Sequence, residues 1–205
     1  AYDGPVLAPD LRALLRGGAT DVEIANSVSD VWRGRSDRYS EVRSAETVTL
    51  PNGATVELEI VRHPGAAAIV PMKDDRTVVL IRQYRHAAGG FIYEIPAGKL
   101  HPGEDPRACA ARELEEEIGY CVASLELLAG IFTAPGFTDE VIHIYKGTGL
   151  TRGKQKLDHD EVLDVIEMPI EKAIAHIEDG TIRDGKTIVG LQAVYLRERA
   201  KMSEK

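Results

Sequence analysis

The chain has 205 residues, 43% of them hydrophobic, with two cysteines and a formal net charge of −8. That length and apolar content suffice for one domain with a sizeable core and an appendage, and the acidic balance argues against a nucleic-acid groove as the main partner surface. No apolar stretch reaches membrane-spanning length and no basic-then-apolar leader opens the chain. The expectation from these two features is a soluble cytoplasmic protein, although a start at Ala1 leaves room for a removed upstream piece; Cys109 and Cys121 have neither zinc nor disulfide-framework spacing and read as a core-lining helix residue and one just past the helix end.

In chain order, residues 7–16 predict a short helix and residues 21–44 are polar and ambiguous. Alternation over residues 47–50 and 55–61 around Pro51-Asn52-Gly53 predicts a hairpin. From Gly65 the pattern changes to strands at 66–70, 77–84 and 91–95. A helix follows at 105–118, then strands at 125–133, 141–145 and 163–168 and helices at 170–178 and 186–199. Strands interleaved with helices and short hairpin links indicate a mixed sheet covered on both sides. The chain divides near His63, giving an N-terminal segment at 1–62 and a larger domain at 63–205.

The helix at 105–118 is the most informative stretch. Asp105 can cap it, Pro106 suits its first position, and Gly119 sits where it would stop. Glu113, Glu116 and Glu117 are three and four residues apart, which puts their carboxylates on neighbouring positions of one face, where like charges repel. Crowded hard oxygens suit Mg²⁺ or Mn²⁺, while the plain alternative is a solvated acidic face. Ala108, Ala111, Leu114 and Ile118 are expected to form the core-facing stripe. Upstream, Pro96-Ala97-Gly98 predicts a loop able to bring a backbone carbonyl to a metal, with Gly98 there for torsions that a side chain would forbid.

Gly98, Glu104, Arg112, Glu113, Glu116, Glu117 and Gly119 spell G-x5-E-x7-R-E-Leu-x-E-E-x-G, which resembles the Nudix box. Gln83-Tyr84-Arg85, Glu94 to Gly98, Ala134-Pro135-Gly136-Phe137-Thr138-Asp139-Glu140 and Asp179 through Thr187 resemble the ADP-ribose pyrophosphatase branch of the Nudix hydrolases. The similarity covers roughly Thr47 to Leu196. A proline sixteen residues after Gly119 is associated in that family with ADP-ribose-type substrates, and Pro135 stands there. The resemblance implies a Nudix α/β/α sandwich with a mixed sheet, preceded here by an N-terminal β-rich segment. It also implies Mg²⁺-dependent hydrolysis (Mn²⁺ being the other candidate) of ADP-ribose or a related nucleoside diphosphate sugar.

Carried over by position, the resemblance implies that Glu113 and Glu117 are principal metal ligands, Glu116 is shared between metals with a catalytic role, and the Ala97 carbonyl completes the coordination. Arg112 would orient a box glutamate, and Glu104 would support the loop or touch metal. The resemblance implies a base from the loop Asp158-His159-Asp160-Glu161, where the positions used in the family fall on His159 or Glu161; Glu161 is favoured because a carboxylate beside Mg²⁺ can both take a proton and bind cation, and the plain alternative is a solvated acidic loop. Arg85 either clasps a phosphate or is an exposed strand-end arginine. Glu140 contacts ribose or water, or is a solvated loop acid. Trp32 and Arg35 could stack on a base, because related enzymes exchange their leading segments within a homodimer. Other readings are a non-catalytic nucleotide-sugar sensor, or hydrolysis of nucleoside triphosphates or dinucleoside polyphosphates.

Overall fold

The structure, a computed structural model, describes residues 43–157, 159 and 161–203. The expected helix at 7–16, Trp32, Arg35, Asp158 and Asp160 lie outside the described residues. The chain divides between Val61 and Arg62 into two compact units. In the first, β1 (Arg43–Thr49) and β2 (Thr55–Val61) pair antiparallel from Arg43 opposite Val61 to Thr49 opposite Thr55. Its turn is closed by the Gly53 amide donating to the Leu50 carbonyl at 2.9 Å, and Gly53 has a φ of 84° that a side chain would resist.

Among its described residues the second unit contains two larger sheets, one two-stranded pair and three α-helices. One sheet has the order β6 (Ala97–Lys99), β3 (Ala66–Pro71), β9 (Val141–Thr148), β8 (Ser124–Phe132), and in it β3 and β9 run parallel while their other neighbours are antiparallel. The other places β4 (Thr77–Arg85) between β11 (Leu163–Pro169) and β5 (Gly90–Glu94), all antiparallel. A 3₁₀ turn at His86–Ala88 joins β4 to β5. β7 (Tyr120–Cys121) and β10 (Thr151–Arg152) make a separate short pair. No two- or three-residue strand was expected from the pattern, since such lengths carry no periodicity.

Every residue of β3 is buried, as a strand covered on both faces requires. Its side chains alternate between two cores. Ala67 and Ile69, with Val79 and Ile81 of β4, pack on Cys109, Ala110, Leu114 and Ile118 of α1 (Pro106–Ile118). Ala68 and Val70, with Val78 and Leu80, face Ala173 of α2 (Ile170–Glu178) and Leu191 and Val194 of α3 (Gly185–Ser203). This is the layered α/β/α arrangement. Among the described residues no helix is long and apolar enough to cross a membrane.

Helix α1 starts and stops where its caps dictate. Asp105 accepts the Arg107 amide at 2.7 Å, Pro106 occupies the first turn, and Gly119 closes the helix in the left-handed region at φ 68°. Its buried side matches the expected stripe at Leu114 and Ile118 but not at Ala108 and Ala111. Ala108 is exposed, whereas Cys109, Ala110, Glu113, Leu114, Glu117 and Ile118 are buried. Two of the three acids therefore point inward, and the small alanines that suggested a core stripe mark its edge.

Candidate active site

The inward acids meet the link between β5 and β6. Glu117, 2% exposed, accepts the Ala97 amide on Oε2 at 3.1 Å. Glu113 lies against Gly98 so closely that a Cβ on that glycine would fall 1.9 Å from Glu113 Oε1. The expectation that Gly98 is needed for unusual torsions is corrected here: its φ is not among the positive ones, and it serves by leaving room for a carboxylate. Burial, and then the charge of Glu113, push the Glu117 carboxyl up to about 9. Burial likewise raises Glu113.

Arg112 gathers the remaining acids. Its Nη1 donates to Glu113 Oε1 at 2.6 Å and Glu116 Oε2 at 2.9 Å, while Nε and Nη2 grip the two oxygens of Glu104 at 2.9 and 3.0 Å. Nη2 also donates to the Lys99 carbonyl at 3.2 Å. Glu104 further accepts the His101 amide, and its carboxyl is held down at about 2, chiefly by Arg112. Buried Cys109 has its thiol pushed up to about 12 by burial, which makes it a packing group without nucleophilic character.

The segment preceding the acidic loop is laid along the end of α1. Lys156 donates its amide to the Glu116 carbonyl and Gln155 Nε2 donates to the Glu117 carbonyl, at 2.9 and 2.7 Å. Glu161 follows, and the Tyr84 amide donates to the Val162 carbonyl, extending the β4–β11 ladder past Leu163. Side-chain alternation then puts Glu161 on the same face as Gln83 and Arg85. Its charge reaches both Glu113 and Glu117, raising both. The structure thus brings Ala97, Arg112, Glu113, Glu116, Glu117 and Glu161 to one wall.

Arg85 is not isolated. Its Nε and Nη2 lie 2.9 and 2.8 Å from Glu94 Oε2, and Lys186 Nζ donates to Glu94 Oε1 at 2.8 Å. Glu94 and Lys186 stand in two of the stretches that resemble the family, but neither was singled out, because their contact joins positions 92 apart that no local window brings together. Glu140 sits in a different neighbourhood, accepting Thr133 Oγ1 at 2.8 Å and lying 3.4 Å from His63 Nδ1. Beside it, Asp139 accepts from Arg62 Nη1 at 2.9 Å and from the His63 amide at 2.8 Å.

The donors fit a hard divalent cation. They are carboxylate oxygens, and burial disfavours the charge of two of them unless a cation compensates it. Gly98 keeps the space in front of Glu113 clear of side chain. Among the described residues no three His, Cys, Asp or Glu side chains close on one point, since Arg112 holds Glu113 and Glu116 and the Ala97 amide holds Glu117.

The sequence profile of the NUDIX domain matches residues 61–189, and the chain belongs to this family. It is 45% identical over 158 residues to a methanol dehydrogenase activator of Bacillus methanolicus, covering 76% of this chain and 85% of that one. It is 40% identical over 155 residues to an ADP-ribose pyrophosphatase of Bacillus subtilis (strain 168), covering 75% and 84%. A solved structure of an ADP compounds hydrolase shares the fold, with a TM-score of 0.68, 24% identity and coverage of 77% of this chain and 93% of that one.

Proposed function

We propose that the chain is a pyrophosphohydrolase that cleaves ADP-ribose or a related nucleoside diphosphate sugar with water, giving a nucleoside monophosphate and a sugar phosphate. The observation that carries this reading is the wall formed by Glu113, Glu117 and Gly98, in which buried carboxylates face backbone cleared for them. Glu113, Glu116, Glu117 and the Ala97 carbonyl would hold Mg²⁺ or Mn²⁺, which when bound neutralises the diphosphate and makes water more acidic. Arg112 aligns Glu113 and Glu116 through one nitrogen and is itself fixed by Glu104. Arg85, with one edge on Glu94, has Nη1 without a protein partner among the described residues and so can donate to a phosphate oxygen.

Glu161 takes the proton of the attacking water, the new P–O bond forms, and the bridging oxygen leaves with one phosphate. Its placement beside Glu113 and Glu117 supports this role. Replacing Glu161 with Gln lowers turnover by roughly 100-fold while KM changes little. Turnover near that of wild type would move the role to Asp160 or His159. A cytoplasmic homodimer accompanies this reading on the strength of the family resemblance, and sedimentation of the purified protein tests the dimer.

The deciding experiment is a panel of nucleotide sugars incubated with and without Mg²⁺, with monophosphate release followed directly. Hydrolysis of triphosphates alone overturns the substrate class, and tight binding without turnover favours a sensing module. A second reading rests on the 45% identical relative, whose name is that of an activator of another enzyme. Adding the chain to methanol dehydrogenase tests it, and acceleration that survives Glu113→Gln would separate activation from hydrolysis.

A further inference from the structure

We propose that the first turn of α3 is a positioning clamp for the site, with Thr187 fixing the backbone that links β5 to β6 and Lys186 setting how Arg85 is presented. This rests on the hydrolase reading above. Thr187 is fully buried, and its Oγ1 accepts the Ile95 amide at 2.9 Å. The hydroxyl proton is committed to Asp184 Oδ2 at 2.5 Å, and the same oxygen accepts the Thr187 amide at 2.9 Å in the manner of a helix cap. Ile95 lies in neither β5 nor β6, so no ladder partner stands in for Thr187. The next two positions are pinned from other elements. The Ile69 amide of β3 donates to the Pro96 carbonyl at 2.9 Å, and the Ala97 amide donates to Glu117 of α1. Thr187 is therefore the upstream pin of the segment that carries Ala97 and Gly98 past the acids.

Lys186 acts on the other half. Its Nζ lies between Glu94 Oε1 at 2.8 Å and Asp184 Oδ1 at 3.1 Å, largely shielded from solvent. Each oxygen of buried Glu94 thereby has its own cation, and Arg85 is confined to Oε2. Without the ammonium group, Oε1 is left unpaired and the guanidinium pivots to span both oxygens, its preferred fork geometry, turning away the edge that would meet phosphate.

Two measurements on the full chain separate this from a plain fold staple: amide hydrogen exchange at Ile95, and steady-state rates on a nucleoside diphosphate sugar with Mg²⁺. In Thr187→Val the Ile95 amide exchanges at least roughly tenfold faster, and kcat falls roughly 10- to 100-fold with KM within about threefold. Thr187→Ser, which keeps the hydroxyl, restores both. Lys186→Met raises KM roughly fivefold or more with kcat within about threefold. Equal losses in Thr187→Val and Thr187→Ser overturn the clamp, as does an Ile95 amide that exchanges no faster in Thr187→Val. An unaltered KM in Lys186→Met also overturns it, and this holds even if Thr187→Val does not fold. If the wild type hydrolyses no nucleoside diphosphate sugar the hydrolase reading fails, and Ile95 exchange alone then decides for or against the clamp.

Discussion

Arg112 and Arg85 both sit against carboxylates, but the balance around them differs. Among the described residues Arg112 pairs with three carboxylates, Glu104, Glu113 and Glu116, so its corner keeps an excess of negative charge even before Glu117 is considered. Arg85 shares Glu94 with Lys186, which also meets Asp184, so cations and carboxylates there match one for one. An acid-rich corner attracts a cation. A balanced one holds its guanidinium rigid and spares an edge for an anion. On the proposed reading, one wall would thus serve both a cation and the diphosphate that the cation neutralises.

Four changes test that contrast. The largest effect is expected from Glu113→Gln combined with Glu117→Gln, which removes two of the proposed cation ligands and should lower turnover by at least roughly 1,000-fold. The melting temperature of the metal-free protein should hold or rise, because neutral amides replace buried acids. Turnover close to wild type would end the metal-wall reading. Next is Gly98→Ala, whose methyl would overlap the Glu113 carboxylate; calorimetric Mg²⁺ titration should show affinity reduced by roughly tenfold or more. Third, Arg85→Lys should raise KM by roughly tenfold with little change in kcat, since an ammonium cannot both grip Glu94 and fork onto phosphate.

The smallest effect concerns pH. Glu104 titrates near 2 when folded, below its ordinary 4.5, because Arg112 binds the carboxylate. Its contribution is complete above pH 4.5 and is lost as pH falls toward 2. Urea melts across that interval should show wild type losing stability more steeply than Glu104→Gln. Parallel slopes would mean that Arg112 does not hold Glu104 as the structure has it.

The boundaries of α1 were legible because Asp105, Pro106 and Gly119 act locally, and the structure shows Asp105 and Gly119 as its caps with Pro106 at the first helical position. The acids were legible as a cluster, yet their direction was not. Helical spacing places Glu113 and Glu117 together but does not say whether that face meets water or the Pro96–Gly98 backbone. Gly98 was misread for a related reason: a close approach and a special torsion leave the same residue in a sequence, and only its proximity to Glu113 separates them. β6, β7 and β10 escaped because pairing partners distant along the chain create them. The Glu94–Lys186 contact is likewise a product of tertiary packing, invisible to any local window.

The parallel pairing of β3 with β9 carries a kinetic consequence. Ala66 meets Ile142 only after the chain closes over an interval that includes all of α1. Pairing at that separation costs loop-closure entropy before any contact repays it, so slow formation of the sheet behind the acidic wall is expected. A divalent cation held there as proposed would meet its ligands together only in the assembled fold and would stabilise that fold by mass action. The ion would be a passenger of folding, boarding at the last stop.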